Sequence, residues 1–130
     1  MRTAINAAVI DDGKILLVRK RQSWILPGGK PEPDESDIEC LCRELSQELS
    51  GTQLENIRYY GEFEGRTPHK GDTLMAKVYF ADIKGELGQP SAEIAAYAWA
   101  DNPGKYNLSD ITSKIVNSLI RDGHLGRPSH

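Results

Sequence analysis

Glu44 and Glu48 stand four residues apart in a stretch with helical spacing, which stacks their carboxylates one above the other on a single flank. Two stacked carboxylates repel unless a cation lies between them. On its own such a pair is usually two solvated glutamates. The surroundings change that balance, because the segment from Glu32 to Glu48 holds seven acids (Glu32, Asp34, Glu35, Asp37, Glu39, Glu44, Glu48) against one base, Arg43, in a chain of net charge -3. This concentration opposes folding unless a metal or a basic partner offsets it. Ligation by carboxylate oxygens suits Mg²⁺ or Mn²⁺, which keep several waters and bind one or two carboxylates together with the phosphates of a substrate.

The elements that must position these groups are legible around them. Pro31, Pro33 and Asp34 forbid regular structure, and Ser36 followed by Glu39 forms a capping box, so a helix starts near Asp37. At about 100° per residue, Ile38, Leu41, Cys42, Leu45 and Leu49 fall on one apolar stripe, which goes to the core and leaves Glu44 and Glu48 on a solvent-facing flank. Upstream, Leu26-Pro27-Gly28-Gly29 reads as a strand end feeding a glycine turn. Cys40 and Cys42 lie about 200° apart around the helix, cannot pair with each other, and read as free thiols of a reducing compartment.

Gly29, Glu35 and Arg43-Glu44-Leu45-Ser46-Gln47-Glu48 sit at the spacing of the signature box of the Nudix hydrolases, G-x5-E-x7-R-E-U-x-E-E-x-G-U with U apolar, and the chain resembles that family. Three positions depart from the box. Gln47 stands in place of the first glutamate of the Glu-Glu pair, Ser50 in place of the glycine, and Gly51 in place of an apolar residue. Gly51 can still end the helix one position later. Gln47 matters more, because an amide oxygen coordinates weakly and has no charge.

The resemblance implies Glu44 and Glu48 as ligands of Mg²⁺ (or Mn²⁺), the Gly28 carbonyl as a third, and Arg43 as a residue that pairs with Glu35 and orients the helix. It also implies Glu93 as a base or further ligand, and Lys20 as a phosphate-binding base of MutT-type members. Lys30 is placed to reach a phosphate. Asp110 is expected to read the base, or else to favour the positive end of the helix it begins.

Composition sets the outer bounds. The 130 residues are expected to form a single domain over 1–130, with 38% hydrophobic and 27% charged residues as in an ordinary globular protein. No apolar run approaches a membrane span and Met1-Arg2-Thr3 leads straight into a strand, which points to a cytoplasmic protein with no membrane partner. Mild acidity and the lack of a basic, aromatic-laced stripe argue against a nucleic-acid polymer as the main partner and leave free nucleotides. The oligomeric state is open.

In order, Thr3 to Ile10 and Ile15 to Arg19 read as a hairpin around the Asp11-Asp12-Gly13 turn, ending in Arg19-Lys20-Arg21, which is either a solvated strand end or a phosphate clamp. Trp24 reads as core packing. Ile57 to Gly65 and Thr73 to Ile83 are strand-like and enclose a polar loop in which Arg66, His69 and Lys70 could fold over an anion. Ile94 to Ala100 is another strand. Ser109 caps a final helix with Ile111, Ile115 and Leu119 inward, and Gly123 ends it.

This order gives an α/β chain with a mixed sheet covered on both faces, and the resemblance implies the three-layer α/β/α sandwich of the Nudix fold. Two functions follow. One is metal-dependent hydrolysis of a nucleoside diphosphate linked to another group, with a nucleoside triphosphate preferred. The other, suggested by Gln47, is a nucleotide-binding or regulatory module without turnover.

Overall fold

The computed structural model describes residues 2–66 and 72–126. In it the chain changes sheets at Val9. Strand β1 (Arg2–Ala8) lies in a mixed four-stranded sheet with β5 (Gly28–Gly29), β7 (Thr73–Lys84) and β6 (Gln53–Arg66), in the order β5-β1-β7-β6. Within it β1 runs parallel to β7, from Arg2↔Leu74 to Ala8↔Phe80, and antiparallel to β5. The second sheet contains β2 (Ile10–Asp11), β3 (Lys14–Lys20) and β4 (Ser23–Ile25), with β8 (Ile94–Ala100) paired to β3. The expected hairpin is therefore confined to β2 and β3, because β1 spends its hydrogen bonds on β5 and β7. Asp12 and Gly13 both take positive φ at its turn, as a tight two-residue hairpin requires.

Period-two alternation divides the core. Ile5 and Ala7 of β1, Val9 just after it, and Leu16 and Val18 of β3 face α1 (Asp37–Glu48) and its Cys40, Leu41 and Leu45. Ala8, Ile15 and Leu17 face the other way, onto Ile111, Ile115, Val116 and Leu119 of α2 (Asp110–Arg121). A helix thus covers each side of the strands, giving three layers.

Both helix starts form as their sequences imply. Ser36 and Glu39 make the reciprocal capping box, and Ser109 accepts from the Thr112 N–H. Gly51, at φ +76°, ends α1 with its N–H on the Ser46 carbonyl. The buried stripe of α1 is rotated from the expected one. Cys40 is fully buried, Cys42 is partly exposed, and Ile38 is 49% exposed. Cys40 slides beneath the glycine turn, its thiol 3.6 Å from the Gly29 carbonyl, and burial pushes that thiol up to about 12. The same rotation takes Glu48 out of solvent.

Trp24 packs edge-on against Tyr106 at 5.1 Å beside the α2 core, in keeping with a packing role. The expectation for His69 and Lys70 lies outside the described residues. No helix among the described residues is long and apolar enough to cross a membrane.

Candidate active site

The glycine turn lies flush on the first strand, with Ile5 opposite Gly29 and Asn6 opposite Gly28. Asn6 Nδ2 donates to the Leu26 carbonyl at 3.0 Å, and the Ala7 N–H donates to Pro27 at 2.9 Å, fixing the approach. Gly28 has φ +144°, and a Cβ there would meet the Ile5 carbonyl oxygen at 2.0 Å, so glycine is required. Its N–H donates to Glu48 Oε1 at 2.9 Å. A Cβ on Gly29 would fall 2.5 Å from the Glu44 carboxyl group. Two bare backbone units thus let both carboxylates of α1 lie against the turn.

Arg43 locks this arrangement from the side. Its Nε and Nη2 donate to the two carboxylate oxygens of Glu35 at 2.7 and 2.9 Å, a bidentate pair. Nη2 also reaches the Lys30 carbonyl at 3.1 Å, and Nη1 reaches Glu44 Oε1 at 2.9 Å and Gln47 Oε1 at 3.2 Å. One guanidinium therefore ties the acidic loop, the glycine turn and α1 together. The hydrogen bond from Arg43, followed by that from the Glu32 N–H, holds the Glu35 carboxyl down to about 2. In the same way the Glu35 carboxylate raises Arg43.

Glu48 is only 8% exposed and forms no ion pair among the described residues. Burial pushes its carboxyl up to about 8, with the Glu44 charge adding to that and the Gly28 N–H opposing it. Glu93 pairs with Lys20 at 2.9 Å, which holds the Glu93 carboxyl below its usual range. The turn that presents Glu93 is anchored on α1. The Ser91 N–H donates to the Glu48 carbonyl at 2.8 Å, the Ser91 hydroxyl donates to the Gln47 carbonyl, and Ala92 adopts φ +56°.

These groups open on one cleft of about 680 Å³. Lys20, Gly28, Lys30, Glu44, Gln47, Glu48 and Glu93 line it, while Arg43 and Glu35 act from behind through their ion pair. Asp110 is not among the lining residues. Its Oδ2 accepts from the Arg66 N–H at 3.0 Å and lies 3.6 Å from Lys114 Nζ, so it joins α2 to the end of β6. The Arg66 hydrogen bond lowers its carboxyl, with Lys114 assisting. Reasoning from sequence missed Arg2, Asn6 and Thr112, which also line the cleft. The signal for two of them was the alternation of Arg2, Ala4 and Asn6 along one face of the first strand.

Among the described residues no three His, Cys, Asp or Glu side chains converge. The oxygen donors present are two carboxylates, Glu44 and Glu48, beside the Gly28 backbone. That set fits Mg²⁺ or Mn²⁺, which take one or two carboxylates and complete their shells with water and phosphate, and the buried Glu48, which has no ion pair among the described residues, is the group such an ion would satisfy.

An acidic helix laid against a glycine turn at one side of an open cleft, within a three-layer sandwich, is the architecture of the Nudix family. The chain belongs to this family, since the NUDIX domain model matches residues 1–102. It is similar over 91% of its length to a MutT NUDIX hydrolase from Burkholderia pseudomallei, covering 97% of that chain at 26% identity with a TM-score of 0.79. It is also 54% identical over 52 residues to the CTP pyrophosphohydrolase of Escherichia coli K12, a match covering 35% of this chain and 38% of that protein. The mRNA-decapping protein g5R of African swine fever virus is 27% identical over 135 residues, covering 88% of this chain and 54% of the viral protein. The chain thus spans well under two thirds of these curated relatives.

Proposed function

We propose that this protein is a metal-dependent pyrophosphohydrolase acting on a nucleoside diphosphate linked to another group, with a nucleoside triphosphate as the preferred substrate. The single observation that supports this most is the buried Glu48 carboxylate beside Glu44, with no ion pair among the described residues, at the floor of the cleft. Glu44, Glu48 and the Gly28 carbonyl would hold Mg²⁺ or Mn²⁺, which when bound acidifies water and neutralises phosphate oxygens. The protein's own contribution is placement. Lys20 and Lys30 offer ammonium groups to phosphate oxygens at the rim of the acidic floor. Glu93, on a turn fixed to the end of α1, supplies a carboxylate able to accept a proton from attacking water or to extend the ligand set. Arg43 and Glu35 keep α1 and the glycine turn in register. The likeness to a CTP pyrophosphohydrolase supports a triphosphate.

Gln47 favours a second reading, a nucleotide-binding module without turnover, because its amide oxygen accepts from Arg43 and adds no charge to the floor. Release of pyrophosphate and phosphate from a nucleotide panel, with Mg²⁺ and with EDTA, separates the two. Turnover that requires Mg²⁺ is the expected result. Nucleotide binding with no product under either condition would leave the module.

A further inference from the structure

The cleft does not end at the acidic floor. Arg2, Ala4 and Asn6 lie on one face of the first strand, and the cleft follows them from Asn6, beside Gly28, to Arg2. Four residues of strand span about 13 Å, which matches an extended nucleotide from its phosphates to the far edge of its base. The apolar part of the cleft's lining includes Ala4, Ile25, Leu74, Ile111 and Ile115. A flat base fits such a slot.

At the far end the Arg2 guanidinium is braced by Asp72, with Nη2 at 2.9 and 2.8 Å from its two carboxylate oxygens. Arg2 Nε–H is buried and meets no acceptor among the described residues. With Nε covered and Nη2 turned to Asp72, Nη1 is the guanidinium nitrogen that forms no hydrogen bond and is not closed off among the described residues, and its two N–H groups are the donors left to read a base edge. The guanidinium has donors only, so what it selects is an edge of acceptors. Cytosine offers adjacent O2 and N3, and guanine offers O6 and N7. Adenine places an amino group beside N7 and N1, and uracil separates its carbonyls with an N–H.

We infer that Arg2 is the base-reading residue of this cleft, selecting nucleotides whose base presents two adjacent hydrogen-bond acceptors, cytosine or guanine. This rests on the triphosphate reading above. It moves base recognition from the start of α2, where Asp110 is engaged with the Arg66 N–H, to the start of the first strand.

The test compares CTP, GTP, UTP and ATP, in both binding (calorimetry in Ca²⁺) and kcat/KM (Mg²⁺), for the wild type, Arg2→Met and Arg2→Lys. The wild type should favour CTP or GTP over ATP and UTP by roughly 10- to 100-fold. Arg2→Met should erase that preference by raising KM for the favoured base much more than for ATP and UTP. Arg2→Lys retains the charge opposite Asp72 but loses the planar fork, so it should weaken the preference by less than Arg2→Met does. If GTP is favoured, 7-deaza-GTP should lose most of the advantage; if CTP is favoured, the cytosine edge is the one read. Equal losses on all four nucleotides would make Arg2 merely structural and overturn the inference, as would an unchanged ratio. Selective binding without hydrolysis would remove the hydrolase reading while leaving Arg2's role standing. No binding of any triphosphate would remove both.

Discussion

Replacing Glu48 with glutamine should stabilise the metal-free protein while removing most of its activity. The carboxyl is 8% exposed, lacks an ion pair among the described residues, and is raised from its ordinary 4.5 to about 8. Because the folded state holds this proton more tightly than the unfolded chain, the group's contribution is fully present below about pH 4.5 and is lost as pH rises through about 8. At about 1.4 kcal/mol per pH unit, that displacement caps the loss at roughly 5 kcal/mol. Water reaching the open cleft reduces it, and a gain of about 2 to 4 kcal/mol is expected for Glu48→Gln in EDTA at pH 8.5. The amide oxygen can still accept from the Gly28 N–H, so that bond is retained. Urea unfolding from pH 4.5 to 9 in EDTA measures the difference, which should be small at the acid end and widen with pH. Added Mg²⁺ should stabilise the wild type by mass action and leave the variant nearly unmoved. A variant less stable than the wild type at pH 8.5, or a gap independent of pH, would refute the reasoning.

Other outcomes follow from the same contacts. Arg43→Lys cannot keep the two-pronged grip on Glu35 together with Glu44, Gln47 and the Lys30 carbonyl, so kcat/KM should fall roughly 10- to 100-fold with the fold retained by circular dichroism. Gln47→Glu adds a charge beside Glu44 and should lower the Mg²⁺ concentration for half-maximal activity in a metal titration. Gly28→Ala forces a Cβ to within 2.0 Å of a backbone oxygen and should cost about 3 kcal/mol or more in urea unfolding, whatever the metal content. Glu35, held near 2, lends stability that is complete above about pH 4.5 and vanishes as pH falls toward 2, so Glu35→Gln should lack that part of the acid-unfolding profile followed by fluorescence.

The sequence by itself determined what depends on near neighbours. The capping box at Ser36 and Glu39, the left-handed end at Gly51, the strand from Ile94 to Ala100 and the cap at Ser109 all form as local chemistry requires. The four-residue spacing of Glu44 and Glu48 likewise announced two stacked carboxylates, because four residues is about one helical turn wherever the helix is placed, whereas the pairing of Arg43 with Glu35 was implied by the family resemblance.

Only the tertiary structure decided which way that helix turns. Residues 38, 40, 41 and 42 are all apolar enough to bury, and it is the glycine turn, with room for Cys40 beneath Gly29, that selects Cys40 over Ile38 and seals Glu48 from solvent. The same holds for pairing. An Asp-Gly turn specifies a hairpin but not how far it extends, and competition from β5 and β7 takes the first strand into another sheet. Arg2 and Glu93 reach one cleft from positions 91 residues apart, and Asp110 meets a backbone N–H at residue 66. Contacts between such distant positions leave no periodic mark on the chain, since they arise only when sheet order, register and helix rotation are fixed together.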